Sequence, residues 1–244
     1  KGTNLNNTKS GGDNNIISDS SEHSVIGGGN GNEINGSYSV INGGTSNTIS
    51  DSSEHSVILG GENNTISNGS EHCLVIGGDG SNIQNSKNSN IFGDGSIVNS
   101  EYSIVICEGS EINTGNNSTI IGGSSNNILS NYSLILSSDG SNIGLNSENS
   151  GIIGGVENNI GDNNKKVYII NSNKTEFTNP KTITESTTFI GDNCKQLDPD
   201  GNFNIFAVGY DDTTNNAISI SKDSLNKIRL NLNGYINIIS DNTN

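Results

Sequence analysis

The sequence predicts an all-β fold: a parallel β-roll solenoid of about ten coils of 14–17 residues, followed by a small β-rich segment. Three observations point there. The first is self-similarity. "SSEHSVILGGENNTISNGSEHCLVIGG", from Ser52 to Gly78, states one phrase twice, and the phrase recurs along most of the chain. The second is composition: 45 Asn and 32 Gly stand against 2 Ala, 1 Arg and 2 Pro, so good helix formers are scarce. The third is the apolar minority, 29 % of the chain. It is mostly Ile and Val at fixed spacing, which is a strand pattern and argues against a disordered chain.

Alignment on the polar residue before each aliphatic triplet gives the coil starts Ser24, Ser39, Ser56, Cys73, Ser89, Ser103, Ser118, Ser133, Ser150 and Lys165. An incomplete copy, "GGDNNIISDSSEH", precedes Ser24. Each unit reads Ser, three aliphatics, Gly-Gly, a polar stretch, Ile and a variable turn. A fixed period of this kind means a solenoid. The middle aliphatics are Ile26, Ile41, Ile58, Val75, Ile91, Val105, Ile120, Ile135 and Ile152, all β-branched. A second column holds Ile17, Ile34, Ile49, Ile66, Ile83, Ile97, Ile112, Ile128, Ile143 and Ile160. Each coil thus offers two inward apolar points, one per strand. About 15 residues, at ~3.3 Å per strand residue, make two short strands and two turns, a flat two-sided roll. Gly-Gly supplies the sharp turn. Polar stretches such as "ENNT" and "GSNI" are expected to stack into Asn and Ser ladders.

Side chains alternate along a strand, so the flanking aliphatics point outward. They include Val25, Val40, Val57, Leu74, Ile104 and Leu134, then Leu59, Ile76, Phe92, Ile106, Ile121, Leu136 and Ile153. A strand apolar on both faces is buried on both faces. The roll is therefore expected to pack against something along its length, and copies of itself are the simplest candidate.

His23, His55 and His72 share one column with Tyr38, Asn88, Tyr102, Asn117, Tyr132, Asn149 and Asn164. Asn and His are enriched at positive φ, so the column reads as a tight-turn position. The sharper alternative is a metal site built by His55 and His72 on adjacent coils, with symmetry mates gathered by a trimer axis. Glu22, Glu54 and Glu71 repeat beside them, but Lys87 and Asn131 share their column, which gives no support to a catalytic carboxylate pair. Tyr38, Tyr102 and Tyr132 are the receptor anchors to weigh against the turn reading.

Charge and motifs narrow the function classes. Of the net −15, residues 1–164 carry 3 Lys and 17 acids, a difference of −14, while 165–244 carry 8 bases and 9 acids. No basic stripe exists, so no nucleic-acid partner is expected. No apolar run approaches the ~18 residues of a membrane span, and no signal peptide is visible. With no Met, Lys1 is not an initiator, and the chain is expected to be a processed or excised piece. Cys73 takes a Ser place, Cys107 a Gly place, and Cys194 lies downstream; their spacing is not that of a metal site, and they read as small buried substitutes. "GGDGSNIQN" (77–85) comes nearest a calcium-binding nonapeptide roll but has Asn82 at the key acidic position. Gly-Gly is no phosphate loop, since no helix follows. Sequons at Asn6, Asn35, Asn63, Asn68, Asn116, Asn117, Asn131 and Asn173 arise by chance in so Asn-rich a chain. No catalytic, cofactor-binding or metal residue is assigned, no enzyme is expected, and the receptor-binding residues are unidentified.

The roll is expected over 1–164 and a small β-rich segment over 165–244, where the repeat decays and the charge changes. Turns are expected at Asn179-Pro180 and in "DPDGN" (198–202), and strands in "FNIFAVGY", "NAISISKD" and "KIRLNLNGYINIIS".

"SVIGGGNGNEI", "SVINGGTSNTI" and "SVILGGENNTI" resemble the left-handed β-roll heads of YadA-like trimeric autotransporter adhesins. Here Ile or Val replaces the family's Ala, Gly-Gly replaces a single Gly, and the coils are longer. That is closer to the variant in tail-fibre-type proteins of phages, bacteria and giant viruses. "NIFAVGYDDTTNNAISISKD" (204–223) is similar to the segment that often follows such rolls. The resemblance implies left-handed coils in a parallel homotrimer. It implies a fibre or adhesin segment, outside the cell or on a virion, that attaches to a host or prey cell surface. A purely structural spacer and a polysaccharide-degrading tail-spike enzyme are the alternatives. The enzyme needs converging carboxylates that the scattered acids of the roll do not supply.

Overall fold

A computed structural model of the chain describes residues 6–177, 187–192, 194, 203–208, 218–222 and 228–232. It is a parallel β-solenoid. Among the described residues, strands alternate between two sheets, one of 15 strands and one of 11. Successive strands of the longer sheet pair in parallel register, Val25 with Val40, Val40 with Val57 and Val57 with Leu74. The shorter sheet repeats this with Glu33, Thr48 and Thr65. Most strands span two or three residues, so each coil is two short strands joined by turns. Longer strands such as Thr119–Ser124 and Gly151–Val156 appear where the ladder also holds through the Gly-Gly turn.

The core lies between the sheets and is nearly one residue deep. All nine middle aliphatics, Ile26 to Ile152, are fully buried. The second inward column is buried from Ile34 onward, while Ile17, in the first described coil, is only half-buried. Two assignments need correcting. Val98, not Ile97, occupies the second column: it pairs with Ile83 and Ile112 and is fully buried, whereas Ile97 aligns with Asn82 and Glu111. The reason is the residue two places earlier. Ser96 holds the buried polar position that Ser81 and Ser110 hold in the flanking coils, and the inward residue follows at two. The last coil start is Val167, not Lys165, because Gly151 pairs with Tyr168 and Ile152 with Ile169. There an apolar residue has replaced the entry serine, so alignment on a polar residue slips.

Three buried polar columns flank the apolar ones and explain the Asn and Ser content. At the strand entry, the Ser39 backbone N–H donates to Ser24 Oγ, Ser56 N–H to Ser39 Oγ, and Ser133 N–H to Ser118 Oγ, at 3.0–3.3 Å. The hydroxyls donate onward, Ser56 Oγ to the Ser70 carbonyl at 3.1 Å. At the opposite turn, Asn32, Asn47 and Asn64 form an amide ladder. Asn47 Nδ2 donates to the Gly61 carbonyl at 2.9 Å, and Asn47 Oδ1 accepts the Asn64 N–H at 3.0 Å. Ser81, Asn126, Ser141 and Asn158 continue it. This is the ladder expected of "ENNT" and "GSNI". A third column runs through Ser70, Ser86 and Ser100, and through Ser130, Ser147 and Asn164. A buried polar group left unpaired costs ~1–3 kcal/mol, so each column must repeat faithfully.

Cys73 tests that rule. It sits in the entry column, 2 % exposed, and its thiol donates to the Glu71 and Ser86 carbonyls at 3.4 Å. Burial pushes the thiol from an ordinary 9.0 up to about 11. The native state therefore keeps a proton that the unfolded chain loses above 9.0. The stability tied to that proton is full below 9.0 and is lost as pH rises through about 11. Native Cys73 is expected to resist maleimide at neutral pH and to react only on unfolding, as mass spectrometry would show. Cys73→Ser restores the consensus donor and is expected to leave the thermal midpoint unchanged or raise it.

The two-sheet ladder runs past residue 164 to Val167–Asn173 and Glu176–Phe177. Beyond that the longer sheet adds Thr187–Ile190 and Phe203–Val208 in parallel, then Ile218–Lys222 and Ile228–Leu232 antiparallel. The expected strands in "FNIFAVGY", "NAISISKD" and "KIRLNLNGYINIIS" contain the last three of these. The turns expected at Asn179-Pro180 and at 198–202 lie outside the described residues. At the other end Lys9 pairs with Ile26, in the inward column, yet is exposed, its Nζ 3.3 Å from the Asn15 carbonyl. A charge in that position disfavours further strand pairing at the edge.

Candidate functional site

Two surface features are repeated finely enough to serve a purpose: a file of rings at one turn and an apolar outer face on the longer sheet.

The ring file is the histidine column. His23, Tyr38, His55, His72, Asn88, Tyr102, Asn117, Tyr132 and Asn149 all lie at φ 54–58°, as the turn reading requires. The tenth member is Lys166, at φ 59°, and not Asn164, which is buried in the third polar column. The turn repeats because its backbone is laddered too: Tyr38 N–H donates to the Glu22 carbonyl at 2.7 Å and His72 N–H to that of Glu54 at 3.1 Å. Consecutive rings therefore stack. His23–Tyr38, Tyr38–His55 and His55–His72 have centroids 5.1, 5.0 and 5.0 Å apart with interplanar angles of 14° or less. Such pairs contribute ~0.5–1.5 kcal/mol each when well packed, and less on an exposed turn.

As to the metal reading, parallel imidazoles 5.0 Å apart cannot both bind one ion at ~2.1 Å without tilting out of the stack. Among the described residues no group of three or more His, Cys, Asp or Glu is placed to hold a metal. Tyr102 and Tyr132, 56 % and 61 % exposed, are separated from other rings by asparagines, so the receptor anchors of the sequence reading do not form one patch. Glu71 pairs with Lys87 at 3.1 Å, Glu148 with Lys165 at 2.7 Å and Glu157 with Lys174 at 3.7 Å, each pair joining adjacent coils. The Lys165 ammonium, hydrogen-bonded to Glu148, holds that carboxyl below its ordinary value. These surface pairs are worth at most about 1 kcal/mol each. Cys73 and Cys194 are buried, and Cys107 is half-buried against the core.

The apolar face is the larger feature. The outward position after the core residue holds Leu59, Ile76, Phe92, Ile106, Ile121, Leu136, Ile153, Ile170 and Ile190 on successive strands. Leu59, Ile76, Ile106, Ile121 and Ile153 are 37–45 % exposed, and the others half-buried. The outward position before the core residue adds Val25, Val40, Val57, Leu74, Ile104 and Leu134, all half-buried. Together they form two adjoining apolar files along one broad side, the kind of contiguous patch that marks an interaction surface.

The outer face of the shorter sheet is the reverse. Apart from Ile16 and Ile97, its outward column is polar: Glu33, Thr48, Thr65, Asn82, Glu111, Asn127, Asn142 and Asn159, with Asn127, Asn142 and Asn159 bonded amide to amide at 2.9–3.1 Å. The roll thus has one oily broad side and one wet one. The sequence reading found the oily side by alternation. It did not foresee the ring stack, because the alignment shows the column but not the ring planes. No helix among the described residues is long and apolar enough to cross a membrane. No known protein family matches the chain, and no curated protein does.

Proposed function

We propose that this chain is a segment of a trimeric extracellular fibre or adhesin, whose coils form a stiff rod and whose partners are two further copies of itself. The observation that carries the reading is the unbroken apolar file from Leu59 to Ile190 on one face of a solenoid whose other exposed apolar side chains, such as Ile16, Leu145 and Val156, are scattered. A face of that length, without a charged side chain in either outward column from Val25 to Ile190, matches a second copy of itself better than a charged ligand. Three copies, left-handed coils and a place on a cell surface or virion rest on the resemblance of the repeat to trimeric adhesin heads. In that setting the rod presents the ring file and the polar sheet outward. Many weak contacts, three per fibre and many fibres per particle, then add by avidity toward a glycan or protein on a host or prey cell.

Light scattering at two concentrations tests the assembly. A mass near three times 25.4 kDa at both supports the reading; a stable monomer overturns it and brings a single-chain β-helix, with enzymatic activity to be assayed on polysaccharide, to the front. Binding of the trimer to a glycan array would support attachment. A trimer that binds neither glycans nor cells would make the segment a spacer.

A further inference from the structure

The apolar file has a polar end. Its column continues toward the N-terminus through Asn42 and Gly27, whose N–H groups donate to the Ile58 and Ile41 carbonyls just as the Leu59 N–H does to that of Val75. Asn42 is exposed, and its side-chain amide has no hydrogen-bond partner among the described residues. Between Gly27 and Ile190 it is the one polar side chain in its outward column, and it stands next to the apolar file. We propose that Asn42 fixes the orientation and register in which copies of this chain associate. The inference rests on the self-association proposed above and adds a residue-level rule to it.

Three placements of one copy on another differ in what Asn42 meets. In a parallel, in-register assembly, Asn42 meets Asn42, and the amides, each with two donors and an acceptor, can satisfy one another. Leu59 and the eight aliphatic or aromatic residues after it then meet their own kind. In a fully overlapped antiparallel pair, Asn42 falls at the level of Ile170, and Gly27 at that of Ile190. An unpartnered amide would be pressed into an apolar contact, and the small side chain would leave a gap. A shift of one coil in the parallel arrangement sets Asn42 against Leu59, with the same penalty. A single polar residue in an apolar seam sets register by this logic in coiled coils. The other polar side chains of the face lie in the other column, Asn90 and Thr119 near the middle of the stack and Tyr168 and Thr188 toward its C-terminal end. Reversal of a copy about the middle sets Asn90 level with Thr119, polar against polar, so that pair discriminates poorly, while Thr188 falls level with Val25 and adds to the penalty that Asn42 imposes.

The test uses spin labels on the full chain with Cys107→Ser, Cys73 and Cys194 being buried. One batch carries a nitroxide at Ser20→Cys and the other a gadolinium tag at Lys174→Cys, both at exposed turns outside the apolar face, so that only distances between unlike labels are read. The two sites lie about 48 Å apart along the stack, ten spacings of ~4.8 Å across the 11-stranded sheet. The batches are unfolded, mixed and refolded, and electron–electron distances between the two label sites are measured. The expected result is a single long component near or above that spacing. With Asn42→Leu in both batches, a short component is expected to appear, as reversed copies become tolerated, while the mass stays that of the assembly. A short component without the Asn42 change, or Asn42→Leu leaving the distances unchanged, overturns the role of Asn42 but leaves self-association standing. A monomeric mass for the labelled chain that retains Asn42 overturns both.

Discussion

Gly61→Ala is expected to destabilise the solenoid by on the order of 4 kcal/mol, which is exceptional for a substitution of one hydrogen by a methyl. Gly61 has φ +90°, and a Cβ there would sit 2.2 Å from the Gly78 carbonyl oxygen and 2.6 Å from Asn64 Nδ2. Both contacts belong to the ladder that holds adjacent coils: Asn64 Nδ2 donates to that Gly78 carbonyl at 3.0 Å. The methyl cannot be relieved by a flexible side chain, because the obstacle is backbone of the next coil. Coils would have to separate locally, and the buried amides on either side would lose their partners. Gly43 is the control. It lies in the same turn of the preceding coil, has no positive φ, and a Cβ there meets nothing within 4 Å. Gly43→Ala is expected to change stability by less than ~1 kcal/mol, with a gain from reduced unfolded-state entropy. Because solenoids respond coil by coil, the comparison is best made by thermal unfolding together with amide exchange. Gly61→Ala should lower protection most in the strands around Ile58 and Val75. Equal effects of the two substitutions would mean that the close approach of coils is not what demands glycine.

How much of this could be read from the chain depends on what each residue type discriminates. The inward columns were legible because β-branched residues recur at the coil period and little else in the sequence is apolar. Where two aliphatics stand side by side, as Ile97 and Val98 do, hydropathy cannot choose between them; the buried hydroxyl of Ser96 does, through its place in the polar column. At Val167 the cue failed in the other direction, since an apolar residue took the entry position and pushed the alignment to Lys165 and Asn164. The turn column was legible from Asn and His preferences at positive φ, and Lys166 joins it against its own preference because the neighbouring coils impose the turn. The ring stack needed coordinates, since it depends on side-chain torsions that no pattern records. The oily outer face followed from alternation alone. Its partner did not, since one chain holds no information on handedness of assembly beyond what its surface permits.

That face yields the second large expectation. Ile121→Lys should reduce the solution mass to that of one chain while leaving the coil intact. Ile121 is 40 % exposed, midway along the file between Ile106 and Leu136, and its side chain lies outside the core. In the isolated chain a lysine there reaches water at little cost, so the circular dichroism spectrum is expected to be unchanged. In an assembly, equivalent ammonium groups would be brought together and stripped of water, which costs several kcal/mol per ion. A dissociation constant raised at least ~1,000-fold, about 4 kcal/mol, is the expected outcome by sedimentation or light scattering. Two companions locate the cause. Asn127→Lys, on the wet outer face of the shorter sheet, should leave the mass unaltered, because that face is turned to solvent in the proposed rod. Ile120→Lys, one residue away but fully buried between the sheets, should unfold the neighbouring coils and lose both mass and spectrum. Should Ile121→Lys keep the mass of the assembly, the copies do not meet on this face. Should it lose the spectrum as Ile120→Lys does, the outer column is part of what holds a single coil together. Only loss of mass with retention of fold matches a roll whose oily side is finished by its own copies.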